Sequence, residues 1–196
     1  MASPKVCIEK IRQEIEASRG TRLWGDSINM LSTVSESIFS RSAHFILELL
    51  QNAEDAGKKS GIGAGQIEFR ISPNQVMVTH NGSPFKDSDA DAICGVRSTK
   101  KPEEGTLGYL GIGFKSVFKV SDCPEVHSGG FYFKFDKGAY KDPTTEPWQI
   151  MPIWIDQPSE LIDPGPLPLH FLSRPLNFTT RRLKNSISCM FISFCS

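Results

Sequence analysis

The chain has 196 residues, of which 39% are hydrophobic and 22% charged, a composition that indicates one soluble globular domain with a sizeable core. Lysine plus arginine equals aspartate plus glutamate, 22 each, so no net charge draws the chain to nucleic acid or to an anionic membrane. Five scattered cysteines without a Cys-x-x-Cys pair argue against a disulfide framework or a zinc site. Because no apolar run approaches ~20 residues, we expect no membrane segment and an intracellular protein, nuclear or cytosolic.

Two packing helices are predicted near the N-terminus. Ser3-Pro4 can cap and open the first helix, and Gly20 is expected to end it. Asp26 or Ser27 is the expected cap of the second helix, in which apolar residues recur at helical spacing. Both helices are expected to pack rather than to carry chemistry.

The third predicted helix carries a polar face that is suited to chemistry. Glu48, Asn52 and Asp55 recur at i, i+4 and i+7, which places them on one side of the helix beside an apolar stripe. Glu48 can polarise a water, the Asn52 side-chain oxygen can ligate a hard cation, and Asp55 can accept a hydrogen bond from a ligand. The plain alternative is a solvated acidic face closed by Gly57, and this stretch alone does not decide between the two.

A hairpin follows, and its second strand runs into the loop His80-Asn81-Gly82, whose Asn-Gly pair tolerates a positive φ. The elements expected from this point on are strands at 67–71, 76–78, 131–135 and 148–155, and a short helix at 87–94.

A glycine-rich stretch lies between the short helix and the later strands. Residues 95–107 are polar with glycines on both sides, the composition expected of a lid. Gly108-Tyr109-Leu110-Gly111-Ile112-Gly113 then precedes a helix predicted at 114–120, and such a turn offers backbone N–H groups to phosphate, with Lys100 and Lys115 as nearby cations. The spacing is neither the Rossmann nor the Walker pattern, so neither of those nucleotide folds is expected.

The character of the chain changes after residue 156. Four prolines crowd a short segment that is predicted to be a linker. The end, 181–196, is basic and then apolar. It could be one more core strand, but its pattern is poor and it lacks a turn signal, so we expect it to be loosely placed, with Cys189–Cys195 as an exposed-strand liability.

Taken together, these motifs resemble the GHKL superfamily, which includes DNA gyrase, the large heat-shock chaperones, histidine kinases and MutL. Glu48-x-x-x-Asn52-x-x-Asp55-Ala56 is similar to the first motif of the family, and Gly108–Phe114 to its glycine-rich second motif. More narrowly, the chain resembles the sacsin-type branch and its plant NO VEIN-like members over the stretches 41–56, 80–85, 98–100 and 111–118.

The resemblance implies an α+β fold of the Bergerat type, a two-layer sandwich in which helices cover one face of a mixed, mostly antiparallel sheet. It implies an ATP-binding domain at 1–156 and a Pro-rich linker and tail at 157–196. Within the domain, the expected parts are N-terminal helices at 4–39, a nucleotide pocket at 40–120 and later strands at 130–156.

By the same resemblance, the pocket binds ATP and Mg²⁺. Glu48 would be the general base for the attacking water, and Asn52 would coordinate the Mg²⁺ that bridges the phosphates. Asp55 and Ala56 would line the pocket near the nucleotide. The remaining binding residues would be His80, Asn81, Gly82, Ser98, Thr99, Lys100, Gly108, Gly111, Ile112, Gly113, Phe114 and Lys115.

Two features depart from the family pattern. The family reads adenine with Asp-x-Gly-x-Gly, whereas this chain has His80-Asn81-Gly82-Ser83-Pro84. A neutral His80 can accept through one ring nitrogen and Asn81 through its oxygen, or His80 is a hydrogen-bonded turn residue. The closing Gly-Thr strand of the family is also missing, with Phe178-Thr179-Thr180 as its nearest stand-in, which indicates a truncated product.

We therefore expect a Mg²⁺-dependent ATP-binding module whose slow hydrolysis drives lid closure, acting with client or partner proteins. The alternative is a degenerate, non-hydrolysing fold that serves as a protein-interaction or regulatory scaffold. A histidine kinase is disfavoured because His44, His127 and His170 lie in no suitable phospho-acceptor helix. A nucleic-acid enzyme is disfavoured by the balanced charge.

Overall fold

The computed structural model of the protein describes residues 3–37, 44–61, 66–72, 75–95, 113–156 and 188–193. Its α-helices are α1 Pro4–Glu16, α2 Arg22–Ser37, α3 His44–Ser60 and α4 Asp87–Cys94. Its strands are β1 Ile67–Ser72, β2 Gln75–His80, β3 Glu125–Ser128, β4 Phe131–Lys134, β5 Ile153–Trp154 and β6 Ser188–Ser193. Four 3₁₀ helices span Gly113–Lys119, Lys137–Ala139, Pro143–Thr145 and Trp148–Ile150.

The six strands form one sheet in the order β1-β2-β6-β3-β4-β5. Every pairing between described strands is antiparallel, so the predicted α+β class is confirmed, whereas the mixed sheet that was expected is not seen among these strands. The predicted hairpin is confirmed, with Phe69 opposite Val78 in β1 and β2.

Strand β6 occupies the centre of this sheet, so for Ser188–Ser193 the expectation of a loosely placed end is wrong and the alternative of one more core strand is confirmed. Met190 pairs with Val78 of β2 on one side and with Val126 of β3 on the other. The inner edges of β2 and β3 carry backbone N–H and C=O groups that need a partner, and β6 is the strand that supplies it to both. The sheet therefore crosses the boundary that was predicted at residue 156.

One hydrophobic cluster joins the helices to the sheet. It is built by α1, α3, α4, the 3₁₀ helix Gly113–Lys119 and strands β2, β3 and β4. Its buried members are Ile8, Ile11, Phe45, Leu49, Val76, Val78, Ala90, Cys94, Phe114, Val117, Val126, Phe131, Phe133, Phe135 and Trp148. Packing α3 and the 3₁₀ helix into the same core fixes their relative position, and these two elements carry the candidate site.

Several local expectations about the elements are confirmed. Ser3 caps α1 as predicted, its hydroxyl accepting a hydrogen bond from the backbone N–H of Val6 at 3.4 Å. The first helix ends earlier than the expected Gly20, at Glu16 with Ala17 as its C-cap, and Gly20, with φ +77, lies in the turn that follows. The short helix at 87–94 and a strand within 131–135 are present.

The start of α2 corrects the expected cap at Asp26 or Ser27. The helix begins at Arg22, and the Ser27 hydroxyl donates to the carbonyl of Leu23 at 2.8 Å inside the first turns. Trp24 is buried, and its indole N–H donates to the carbonyl of Thr145 at 3.0 Å. This tertiary contact stabilises the first turn of α2, which lies before the expected cap.

The predicted strand at 148–155 is mostly wrong. Residues Trp148–Ile150 form a 3₁₀ helix, and β5 is limited to Ile153–Trp154. Pro147 and Pro152, both fully buried, flank the helix, and neither has an N–H for a strand ladder. Strand β3 was not predicted, because its Glu-Val-His-Ser sequence has one apolar residue in four.

Candidate functional site

Helix α3 presents the polar face that its sequence predicts. Phe45, Leu49 and Ala53 recur at helical spacing and are buried, so they turn one side of the helix into the core. Directly beside this buried side, Glu48 and Asp55 are half-buried and Asn52 is exposed. The helix thus holds a carboxylate, a carboxamide and a second carboxylate in a row at the edge of solvent.

The backbone of Gly113 lies directly against Glu48. A Cβ at Gly113 would overlap the Glu48 carboxylate, lying 2.6 Å from its carboxyl carbon and 3.3 Å from its Cγ. The φ of Gly113 is not among the positive values in the described chain, so close approach rather than backbone conformation favours glycine here. The predicted acidic motif and the end of the glycine-rich motif therefore meet in space.

A second glycine makes an equally close approach further along α3. A Cβ at Gly82 would lie 2.6 Å from the Cβ of Ala56, 2.7 Å from its carbonyl carbon and 2.8 Å from the nitrogen of Gly57. The N–H of Ser83 also donates to the carbonyl of Ala56 at 2.9 Å. From Glu48 to Ala56 the helix rises by about 12 Å, so the contacts of the two glycines lie at opposite ends of one stretch of its polar face.

The loop that carries Gly82 uses its own acceptors for internal hydrogen bonds. His80 Nδ1 accepts from the N–H of Gly82 at 3.2 Å, and Asn81 Oδ1 accepts from the N–H of Gln66 at 2.7 Å. Burial lowers the pKa of His80 below its ordinary value, which keeps the ring neutral at pH 7. With Nδ1 accepting, the proton of the neutral ring is on Nε2. Of the two interpretations of His80, this geometry corresponds to the hydrogen-bonded turn residue.

Lys115 points into the core, which disagrees with the prediction that its charge lies beside a ligand phosphate. Its ammonium donates to the carbonyl of Ile93 at 2.6 Å and to that of Gln149 at 3.0 Å. Burial lowers the pKa of Lys115 to about 8 and raises that of the nearby Cys94 thiol to about 12. The lysine therefore connects the 3₁₀ helix Gly113–Lys119 to the end of α4 and to the 3₁₀ helix Trp148–Ile150.

Phe114, also predicted to bind, is a core residue. Its ring packs edge-on against Phe118 at 5.7 Å between centroids and tilted against Phe135 at 5.8 Å. The same three rings surround the Lys115 ammonium at 5.4 to 5.8 Å. Phe114 and Lys115 thus hold the neighbouring Gly113 in place through their contacts in the core. The Phe114-x-x-x-Phe118 spacing is the sequence signal for such a packing role.

The rest of the predicted site lies outside the described residues: Ser98, Thr99, Lys100, Gly108, Gly111 and Ile112. Among the described residues no group of three or more His, Cys, Asp and Glu is placed to hold a metal. Glu48 and the exposed Asn52 nevertheless offer oxygen donors one helical turn apart, the ligand type that Mg²⁺ prefers. No described helix is long and apolar enough to cross a bilayer.

Comparison with known proteins adds a family match for part of the chain. Residues 66–149 match the Sacsin domain. Protein NO VEIN of Arabidopsis thaliana is 44% identical over 107 residues, which cover 54% of this chain and 4% of that protein. Sacsin of Homo sapiens is 32% identical over 100 residues, which cover 42% of this chain and 2% of that protein.

These matches confirm the sacsin-like and NO VEIN-like character that the sequence predicts. The Sacsin-domain match includes Gly82 and Gly113, the two glycines that approach α3, but it begins after Glu48. The chain spans only a small part of the length of either relative.

Proposed function

We propose that this chain is a Mg²⁺-dependent ATP-binding module of the chaperone and MutL type, with a Bergerat-type fold and slow ATP hydrolysis. The observation that carries the proposal is the contact between Gly113 and the Glu48 carboxylate. Two motifs that are distant in sequence converge there, and the absence of a side chain at Gly113 lets backbone approach the carboxylate directly. Such an arrangement suits a phosphate chain bound beside the junction of a glycine turn and an acidic helix.

The residues on α3 divide the chemistry along the helix. Glu48 is placed to orient a water and to accept its proton as the water attacks a phosphorus atom. Asn52, one turn further on, would hold Mg²⁺, which when bound would neutralise charge on the phosphates. The half-buried Asp55 and the backbone at Ala56 would border the nucleoside end, where Gly82 makes its close approach.

The experiment that tests this proposal separates binding from hydrolysis in the full chain. Glu48→Ala should abolish Mg²⁺-dependent ATP hydrolysis and change ATP affinity by less than about threefold, because the base acts on the water rather than on the nucleotide. Glu54→Ala is the matched control, since Glu54 is exposed on the same helix and forms an ion pair with Lys58 at 3.0 Å. Equal rates of ATP hydrolysis by the wild type, Glu48→Ala and Glu54→Ala would contradict the role of Glu48.

A second candidate, a non-hydrolysing scaffold for partner proteins, is favoured by two specific observations. Lys115 is committed to the core, and the acceptors of His80 and Asn81 are engaged by backbone N–H groups. A folded chain that shows no thermal shift with millimolar Mg²⁺–ATP would favour this function. For either function, we propose a nuclear or cytosolic location and client or partner proteins as the target.

A further inference from the structure

We propose that Lys115 is a positioning residue for ATP hydrolysis, whose buried ammonium holds the backbone of Gly113 beside the Glu48 carboxylate without contacting the nucleotide. This inference rests on the proposed function and adds to it the residue that fixes the geometry between the two motifs. It is carried by the hydrogen bonds of Lys115 and by its place in the chain, two residues after Gly113.

The first step is what the ammonium of Lys115 joins. Lys115 is 4% exposed, and its ammonium donates to the carbonyl of Ile93 at 2.6 Å and to that of Gln149 at 3.0 Å. Ile93 lies in the last turn of α4, where carbonyl groups lack partners within the helix and favour a positive charge. One side chain therefore connects the 3₁₀ helix that begins at Gly113 with two other elements of the core.

The second step is how this connection reaches Gly113. The three residues that follow Gly113 are all buried. The Phe114 ring packs among the aromatic rings of the core, and the Ser116 hydroxyl donates to the carbonyl of Gly113 at 2.6 Å. Gly113 therefore cannot move away from Glu48 unless these contacts change, and the hydrogen bonds of Lys115 link this segment to α4.

The third step is where Lys115 lies relative to the glycine-rich part of the sequence. Helix α4 is capped by Gly95, and the next described residue is Gly113. The hydrogen bond from Lys115 to Ile93 joins residues that lie two positions from each of these glycines. It therefore fixes the distance between the points at which the stretch 96–112 leaves and rejoins the described structure.

The fourth step is whether Lys115 acts through its charge or through its N–H groups. Among the described residues no carboxylate forms an ion pair with the ammonium; Cys94 is the titratable group that faces it from α4, and burial raises the pKa of that thiol to about 12. Aromatic rings lie 5.4 to 5.8 Å from the ammonium. Burial also lowers the pKa of Lys115 to about 8, and the neutral amine formed above this pH keeps two N–H groups, one for each carbonyl. The positioning should therefore persist across this pH, whereas a charge acting on phosphate would be lost.

The expected effect follows from how strongly hydrolysis depends on position. A misplacement of about 1 Å in a reacting group costs about 100-fold in rate. Lys115→Met keeps a long side chain among the aromatic rings but removes the N–H donors, so kcat should fall by about 10- to 100-fold. The dissociation constant of ATP should change by less than about threefold, because the Gly82 contact at the nucleoside end lies about 12 Å away along α3.

The test measures kcat and the calorimetric ATP affinity of the full chain with Mg²⁺, for the wild type and each variant, at about pH 7 and about pH 9. Lys115→Gln, which restores N–H donors on a shorter side chain, should recover part of the lost kcat. Lys119→Met is the matched control, because Lys119 is exposed in the same 3₁₀ helix, and Val126→Ala, in the buried core of β3, controls for loss of stability alone. Both controls should keep the wild-type kcat, and the ratio of wild-type to Lys115→Met kcat should be the same at both pH values.

A measurement without nucleotide tests the structural half of the inference. In protein labelled with ¹⁵N-glycine, the amide resonance of Gly113 is the one that is absent from Gly113→Ala. It should shift in Lys115→Met and remain unchanged in Lys119→Met. Gly25 in α2, where nothing lies within 4 Å of a Cβ position, is the reference glycine, and its resonance should be unchanged in both variants.

The outcomes separate this inference from the proposed function. Hydrolysis by the wild type with an unchanged kcat in Lys115→Met, or with a Gly113 resonance that does not shift, overturns the inference and leaves the proposed function standing. An equal loss of kcat in Val126→Ala, or a kcat ratio that falls about tenfold between the two pH values, also overturns it, because the effect would then come from stability or from charge. No hydrolysis by a folded wild type overturns the proposed hydrolysis and the kinetic role of Lys115 together. If Lys115→Met does not fold, Lys115→Gln decides, and a wild-type kcat in that variant overturns the inference.

Discussion

Replacing Gly113 by alanine should destabilise the protein through a single steric contact. The new Cβ would lie 2.6 Å from the Glu48 carboxyl carbon, well inside van der Waals distance, so the Glu48 side chain must shift. Added methyl groups in packed sites cost about 1–3 kcal/mol. Because Glu48 is half-buried and its end can rotate away, we expect a cost of about 1–2 kcal/mol.

The assay is equilibrium urea unfolding of the full chain, arranged as a double-mutant cycle. If the cost of Gly113→Ala comes from Glu48, adding Glu48→Ala should remove most of it and give a coupling energy of about 1–2 kcal/mol. Gly25→Ala is the control, since nothing lies within 4 Å of a Cβ at Gly25 in α2, and this variant should be as stable as the wild type or up to about 1 kcal/mol more stable. Additive effects of Gly113→Ala and Glu48→Ala would refute the contact.

Three further predictions use the same unfolding assay. Gly82→Ala should cost about 3 kcal/mol or more and should not be rescued by Ala56→Gly, because two backbone atoms also lie within 2.8 Å of the new Cβ; full rescue would be the contrary result. Lys115→Met leaves two carbonyls without their donor and should cost about 1–3 kcal/mol at pH 7. Burial lowers the pKa of Lys115 to about 8, so between pH 8 and 10.5 the unfolded chain binds one proton more than the folded chain. In this range the free energy of unfolding of the wild type should rise, relative to that of Lys115→Met, by up to about 1.4 kcal/mol per pH unit. A difference that falls with pH would contradict this sign. Met190→Pro should unfold the domain, since Met190 pairs on both sides of a central strand, whereas Met190→Val should not.

The motifs of the site could be predicted from sequence because their residue types are tied to local geometry. Glu48, Asn52 and Asp55 share a helix face by spacing alone, and alternation identifies the β1–β2 hairpin. The close approaches of Gly82 and Gly113 are consistent with the glycine motifs, but their partners on α3 are visible only in three dimensions.

The parts that could not be predicted depend on tertiary contacts. A lysine after a glycine turn suggests a phosphate ligand, yet Lys115 is drawn inward by two carbonyls and three aromatic rings. The strand β6 has a weak pattern of its own and is specified by the unsatisfied edges of β2 and β3. The start of α2 likewise depends on the contact of Trp24 with Thr145.

The most direct test of the account is whether Mg²⁺ and the α3 face together bind a nucleoside triphosphate. We would titrate the full chain with ATP in the presence and absence of Mg²⁺, using Asn52→Ala and, as the matched control, Asn29→Ala on the exposed side of α2. The account predicts Mg²⁺-dependent binding that weakens at least about tenfold in Asn52→Ala and is unchanged in Asn29→Ala. A folded chain that binds no ATP, or that binds it equally with and without Mg²⁺ and Asn52, would contradict it.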